Sequence, residues 1–184
     1  MAITDCPKPY YCYDYEAYPA QSGCDTKEYY LSGISAIGLL SCGTELVDPS
    51  DAEEVQGLID SGDLIIISGI KAGFDDASPI TIDPVTACGT TITINADRSV
   101  SFEDAKVSKE VVEWYNTIKS QRFGGALLYE CAENRVSYVT QYVTMTANRA
   151  GGNTNSEAQR IAGTIAWRSQ DDPVPYDAPG NIFG

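Results

Sequence analysis

The chain has 184 residues, 43% of them hydrophobic and 21% charged, the balance of one folded domain with a core of its own rather than a disordered tract. Its formal net charge is −14, and the bias is uneven: residues 1–97 carry 16 acidic and 3 basic side chains, residues 98–184 carry 10 and 9. That balance speaks against ordinary nucleic-acid binding, which needs clustered Lys and Arg to neutralise phosphates, and no run approaches the roughly 18 apolar residues of a membrane span.

The opening "MAITDCPKPYY" lacks a basic stretch followed by an apolar one, so the expectation is a chain without a secretory signal, made in a cytosol. Residues 1–30 form a zone of their own, with seven of the twelve tyrosines, three prolines and three cysteines. Five of those tyrosines (Tyr10, Tyr11, Tyr13, Tyr15, Tyr18) fall in nine residues of "PYYCYDYEAY". Strand alternation puts Tyr11, Tyr13 and Tyr15 on one face and Tyr10, Cys12, Asp14, Glu16 and Tyr18 on the other. A core strand does not suit Asp14 and Glu16, and a disordered tail rarely holds so many aromatics. Tyrosine offers large contact area at low entropic cost, so an arm laid across a neighbouring subunit fits best.

"LSGISAIGLL" (31–40) reads as a buried strand or a tight crossing. In "SDAEEVQGLIDSG", Ser50 with Glu53 predicts a capping box and Gly62 a C-terminal stop, a helix near 51–61. Its apolar side is thin (Ala52, Val55, Leu58, Ile59), so it belongs on the surface of something larger. "DLIIISGI" (63–70) predicts a strand covered on both faces, and "KAGFDDASP" a loop. "TTITIN-ADRS-VSFED" predicts a hairpin with Ile92 and Ile94 facing inward, answered by Val100 and Phe102. A second helix is expected over 108–120, with Val111, Val112, Tyr115 and Ile118 as its apolar stripe. "GALLYECAE" and "RVSYVTQYVTMTA" predict two further strands joined near Glu133 and Asn134. The second is apolar on both faces, with Val139, Val143 and Met145 opposite Val136, Tyr138 and Tyr142. "AQRIAGTIAWRS" predicts the last strand, with Ile161, Ile165 and Trp167 inward, and residues 170–184 an extended, proline-rich tail.

The elements add up to a mainly β protein with two helices, an antiparallel β-sandwich or partly open barrel with a flanking α-helix and extended N- and C-terminal arms. Three divisions are expected: an arm over 1–30, the β domain over 31–169 and the tail over 170–184.

No phosphate-binding glycine loop and no nucleophile elbow is present. Histidine is absent, which removes the commonest general base and leaves a cysteine nucleophile without its usual partner. Asp75–Asp76 and Asp171–Asp172 lack the alternating oxygen ligands of a calcium loop. The six cysteines (Cys6, Cys12, Cys24, Cys42, Cys88, Cys131) contain no CxxC pair, so free, mostly buried thiols are expected, ahead of disulfides and well ahead of zinc. The expectation is a partner-binding or assembly protein with no catalytic residue, no metal and no cofactor.

From about Ser99 onward, "VSFEDAKVSKEVVEWYNTI", the pair "GALLYEC…RVSYVTQYVTMTA" and the closing "QRIAGTIAWRSQDDPVPY" resemble a phage tail tube protein. The resemblance covers about half of the chain. It implies a structural virion protein whose hexameric rings stack into a tube around an acidic lumen, assembled in the host cytoplasm. DNA would transit the lumen without specific binding. The partners it implies are further copies of the chain and other tail proteins such as tape measure, terminator and baseplate or tip proteins, with no membrane. A strongly acidic conduit removes the phosphate attraction that would retain DNA. Candidate interface residues are Tyr10, Tyr11, Tyr13, Tyr15, Tyr18, Tyr138 and Tyr142. Two other readings stay open: another virion component, such as a head decoration or connector ring, and an extracellular disulfide-linked filament protein.

Overall fold

The computed structural model describes residues 33–82, 92–130, 134–151 and 159–179; for residues 82 and 92–94 it describes the backbone alone. Ten strands and two helices follow in the order β1 (Ile34–Leu40), α1 (Ala52–Ser61), β2 (Leu64–Phe74), β3 (Ser78–Ile82), β4 (Ile92–Asp104), α2 (Lys109–Ile118), β5 (Arg122–Phe123), β6 (Gly125–Glu130), β7 (Arg135–Val139), β8 (Val143–Ala150), β9 (Arg160–Ser169) and β10 (Val174–Asp177). All pairings are antiparallel. The strands form one sheet in the order β10-β7-β6-β1-β2-β4-β9-β8-β5, with β3 paired to β4 outside that path. The sheet is open, as expected of a sandwich or partly open barrel with a flanking helix.

Two apolar clusters explain why the sheet curls. The larger joins inner-face residues from both halves of the sheet, among them Ile37, Ile67, Leu128, Phe102, Met145 and Ile165, around Val111, Trp114, Tyr115 and Ile118 of α2. The helix therefore lies between the two arms of one folded sheet. Its ring contacts are specific: Tyr115 packs edge-on to Trp114 at 5.1 Å and stacks with Phe102 at 6.1 Å. The smaller cluster lies on the opposite face of β1, β2, β6 and β7, where Ala36, Leu40, Leu64, Ile66, Leu127, Tyr129 and Val136 meet Val55 of α1. Strands β1 and β2 are thus covered on both faces, as "LSGISAIGLL" and "DLIIISGI" predict. At Gly163 the sheet closes so tightly that a Cβ would run into the Phe102 ring and the Thr146 carbonyl.

Several expectations need correction. The cap of α1 is Asp51, whose carboxylate accepts from the N–H groups of Glu53 and Glu54, because the Ser50 hydroxyl is engaged by Asp48. Gly62 ends the helix as expected, with φ at 80° in the left-handed region. The loop over 71–79 shrinks to residues 75–77, since β2 continues through Phe74 and β3 begins at Ser78. Of the hairpin expected over 90–104, the described residues 92–104 are instead the single strand β4, which pairs with β3 through its first half and with β9 through its second. On α2 the stripe includes buried Trp114, and Val112 is only half-buried. "RVSYVTQYVTMTA" breaks at residues 140–142 into β7 and β8, which lie in opposite arms of the sheet. Its two faces nevertheless sort as expected, with Val139, Val143 and Met145 in the larger cluster and Val136 and Tyr138 at the smaller. The tail after residue 170 carries one more strand, β10. Inward positions assigned to Ile92 and Ile94 lie outside the described side chains.

Candidate functional site

The two ends of the sheet differ in chemistry. At one end, β10 pairs with β7 (Val174 opposite Tyr138, Tyr176 opposite Val136), which places these four side chains on the α1 face. Three of the four exposed large apolar residues among the described residues gather here: Val47 is 85% exposed, Val174 57% and Tyr176 37%. The loop before α1 is held against this edge by Glu54, whose carboxylate accepts from the N–H groups of Val47 (2.9 Å) and Asp48 (3.0 Å). Burial raises the pKa of the half-buried Tyr138 hydroxyl, opposed by a hydrogen bond with the Leu46 backbone and assisted by the negative charge of Glu54 and Glu45. Around this apolar centre, residues 45–63 carry seven acidic side chains (Glu45, Asp48, Asp51, Glu53, Glu54, Asp60, Asp63) and no basic one. The Ser50 hydroxyl and N–H hold the exposed Asp48 carboxyl below its ordinary pKa, so it stays charged at neutral pH.

The opposite end is basic. Strand β5 pairs with only Thr144 and Val143 of β8, and Met145 exchanges backbone hydrogen bonds with Ser120 and Gln121. Beyond Met145, alternation directs the N–H and C=O groups of Ala147 and Arg149 to the outer side of β8, where no strand lies among the described residues. Lys119, Arg122 and Arg149 are all exposed along this edge. Lys119 Nζ donates to Asn116 Oδ1 at 2.9 Å and Arg149 to Gln159 Oε1, both neutral acceptors. The Arg122 guanidinium lies 4.4 Å over the Tyr142 ring.

Of the tyrosines singled out in the sequence, Tyr138 packs at the acidic end of the sheet and the half-buried Tyr142 lies beneath Arg122 at the basic end. The structure does not bring them together. Tyr10, Tyr11, Tyr13, Tyr15 and Tyr18 lie outside the described residues. The exposed Val174 and Tyr176 sit in the stretch taken for a tail; their alternation between prolines was the available signal.

A third feature closes the mouth of the folded sheet. Arg98 on β4 donates from Nε to the Ser169 carbonyl (3.2 Å), from one terminal nitrogen to the Gln170 carbonyl (3.1 Å) and from the other to the Asp172 carboxylate. The β9–β10 connection is thereby clamped. Asp75 accepts from the hydroxyls of Ser99 (2.7 Å) and Ser101 (2.8 Å). The paired carboxylates at 75–76 and 171–172 thus include two that serve the protein's own contacts. Among the described residues no group of three or more Cys, Asp or Glu side chains is placed to hold a metal ion. A shallow groove of about 570 Å³ lies over Lys71, Ser101, Phe102, Glu103, Asn148 and Thr164.

At Cys42 the expectation of a free thiol is corrected. This cysteine is disulfide-bonded, and every other cysteine lies outside the described residues, so its partner does too. The Cys42 sulfur sits 3.5 Å from the Arg122 carbonyl but, being oxidised, has no proton to donate.

Among the described residues no helix is long and apolar enough to cross a membrane. Comparison with protein-family models, with curated proteins and with solved structures gave no match.

Proposed function

We propose that the chain is a structural subunit that assembles with copies of itself, as the repeating unit of a phage tail tube. The observation that carries this reading is the pairing of one open sheet with two ends of opposite character. One end is apolar with an acidic surround, and the other is a cation-bearing strand edge that is partly unpaired among the described residues. An exposed strand edge is a template for pairing with another chain, and proteins that stay monomeric usually blunt it. A contact between unlike surfaces propagates into rings or filaments. The acidic excess suits a conduit through which DNA slides without adhering. The tyrosine segment over 9–18 is part of the same proposal, as an arm for a neighbouring copy.

The Cys42 disulfide favours a second reading, an extracellular disulfide-linked filament protein, because such bonds persist mainly in oxidising compartments. Negative-stain imaging of the full chain, with and without reductant, separates the possibilities. A tail tube subunit gives stacked rings whether or not reductant is present. A disulfide-linked filament comes apart when reduced, isolated rings indicate another virion component, and dispersed monomers refute assembly.

A further inference from the structure

The acidic and basic ends of the sheet occur on the same molecule, at opposite termini of one strand order. We infer that the α1–β10 end of one copy docks on the β5–β8 edge of the next, so that Val47, Val174 and Tyr176 meet the outer side of β8 while Lys119 and Arg149 meet the acids around α1. The inference rests on the assembly reading and deepens it by naming the surfaces that touch.

Three observations choose a second copy as the occupant. The first is charge. Residues 45–63 hold seven acids without a base, and Arg135 on the neighbouring β7 is paired with Glu130 at 2.9 Å, whereas Lys119, Arg122 and Arg149 are exposed along the β5–β8 edge. Lys119 and Arg149 are bound to neutral amides, so these bonds leave their charge uncompensated. Like-charged contacts between two acidic ends or two basic ends are disfavoured, which makes the interface head-to-tail.

The second is backbone chemistry. The outer side of β8 presents N–H and C=O groups at Ala147 and Arg149 that a passing strand or loop can satisfy. At the other end, Pro175 has no N–H, so β10 makes a poor partner for another β10 through a continuous ladder. That asymmetry again selects unlike ends. The third observation concerns the chain's own N-terminus. Residues 1–32 carry five acidic and two basic side chains, so they do not complement the acidic surround of α1.

Reciprocal charge reversal in the full-length chain tests the pairing. One variant combines Glu45→Lys with Glu53→Lys, both exposed; the other combines Lys119→Glu with Arg149→Glu. Thermal melts of each confirm folding, and sedimentation velocity reads assembly. Each variant alone is expected to need at least tenfold more protein to assemble than the parent chain. An equimolar mixture is expected to recover parental assembly, because every contact in an alternating array again joins opposite charges. Tyr176→Ser, which removes apolar area without touching charge, is expected to weaken assembly of the parent and of the mixture alike.

If both reversed variants assemble like the parent chain, the surfaces are wrong while the assembly reading stands. If each is impaired and the mixture stays impaired, the two ends do not meet each other, and the basic edge serves some other group, such as the acidic residues 1–32. If the parent chain itself never assembles, both the inference and the reading beneath it fall.

Discussion

The Tyr115 hydroxyl donates a hydrogen bond at 3.1 Å to the wholly buried carboxylate of Asp104, tying the helix inside the sheet to the last residue of the longest strand. The same carboxylate accepts from the Lys106 N–H at 2.8 Å, and Lys106 Nζ donates to the Ser68 carbonyl on β2 at 2.7 Å. One polar knot therefore fixes the β4–α2 turn against the neighbouring strand β2. Tyr115→Phe keeps the ring in its stack but removes a donor from a charged acceptor. It is expected to lower the unfolding free energy by about 1.5–3 kcal/mol. Urea denaturation measures this, and an unchanged midpoint with an unchanged slope contradicts it.

The burial pattern of α2 predicts a graded response to charge. Ile118→Asp or Trp114→Asp places an unpaired carboxylate where the side chain is buried among apolar neighbours. Several kcal/mol of penalty is a large part of the roughly 5–15 kcal/mol that stabilises a domain, so neither variant should be recovered soluble and folded. Val112 is only half-buried, so Val112→Asp should fold with a reduced melting temperature. Circular dichroism of the soluble fraction distinguishes the two outcomes.

Alkaline pH should loosen the α1 side of the sheet. Burial raises the pKa of the Tyr129 hydroxyl well above the usual tyrosine value, and that of Tyr138 to a lesser degree. A group whose folded pKa is raised contributes stability that is complete below the unfolded pKa and declines as pH climbs from there towards the folded pKa. Stability should therefore fall above about pH 10, by up to about 1.4 kcal/mol per pH unit for each such group. Tyr129→Phe should remove one group's share of that slope. Equal slopes in denaturation series between pH 9 and 11 refute the assignment.

Cys42 follows β1 at the end where Leu40 faces Leu64, whereas β6 finishes with Glu130 at the other end, next to the pairing of Tyr129 with Ala36. Strand β1 spans about 20 Å at roughly 3.3 Å per residue, and a disulfide needs Cα atoms about 4.4–6.8 Å apart. A partner in the stretch that follows Glu130 directly is therefore not expected. Strand β4, which begins at Ile92, meets β2 only at the end of that strand remote from Leu64. Peptide mapping without reductant is expected to recover Cys42 joined to Cys6, Cys12 or Cys24. Recovery of Cys42 joined to Cys88 or Cys131 contradicts this.

What the sequence made legible follows from periodicity. The 3.6-residue stripe of α2 and the alternation of Ile161, Ile165 and Trp167 report real burial, because each element turns the same face to the larger apolar cluster along its length. Strand β4 does not: it passes from β3 to β9 near residues 96–97, so "ADRS" looked like a turn. Its Asp97 and Arg98 instead serve the sheet, Asp97 accepting from Arg168 at 2.8 Å and Arg98 clamping the β9–β10 connection. Strands β3 and β10 were hidden by Pro79 and Pro175, residues that an edge strand tolerates and a central one does not. The charge bias between the halves of the chain was readable from composition. That the acids would surround an apolar end, with cations at the opposite edge, was not, because it depends on which strands finish the sheet.

Assembly of this chain with itself stands or falls on the masses of the particles that the purified full-length protein forms. Mass photometry, followed at higher concentration by sedimentation velocity, is expected to show species at multiples of 19.8 kDa that build into a dominant closed or stacked assembly as concentration rises. A single 19.8 kDa species persisting to the highest concentration that remains soluble would contradict it.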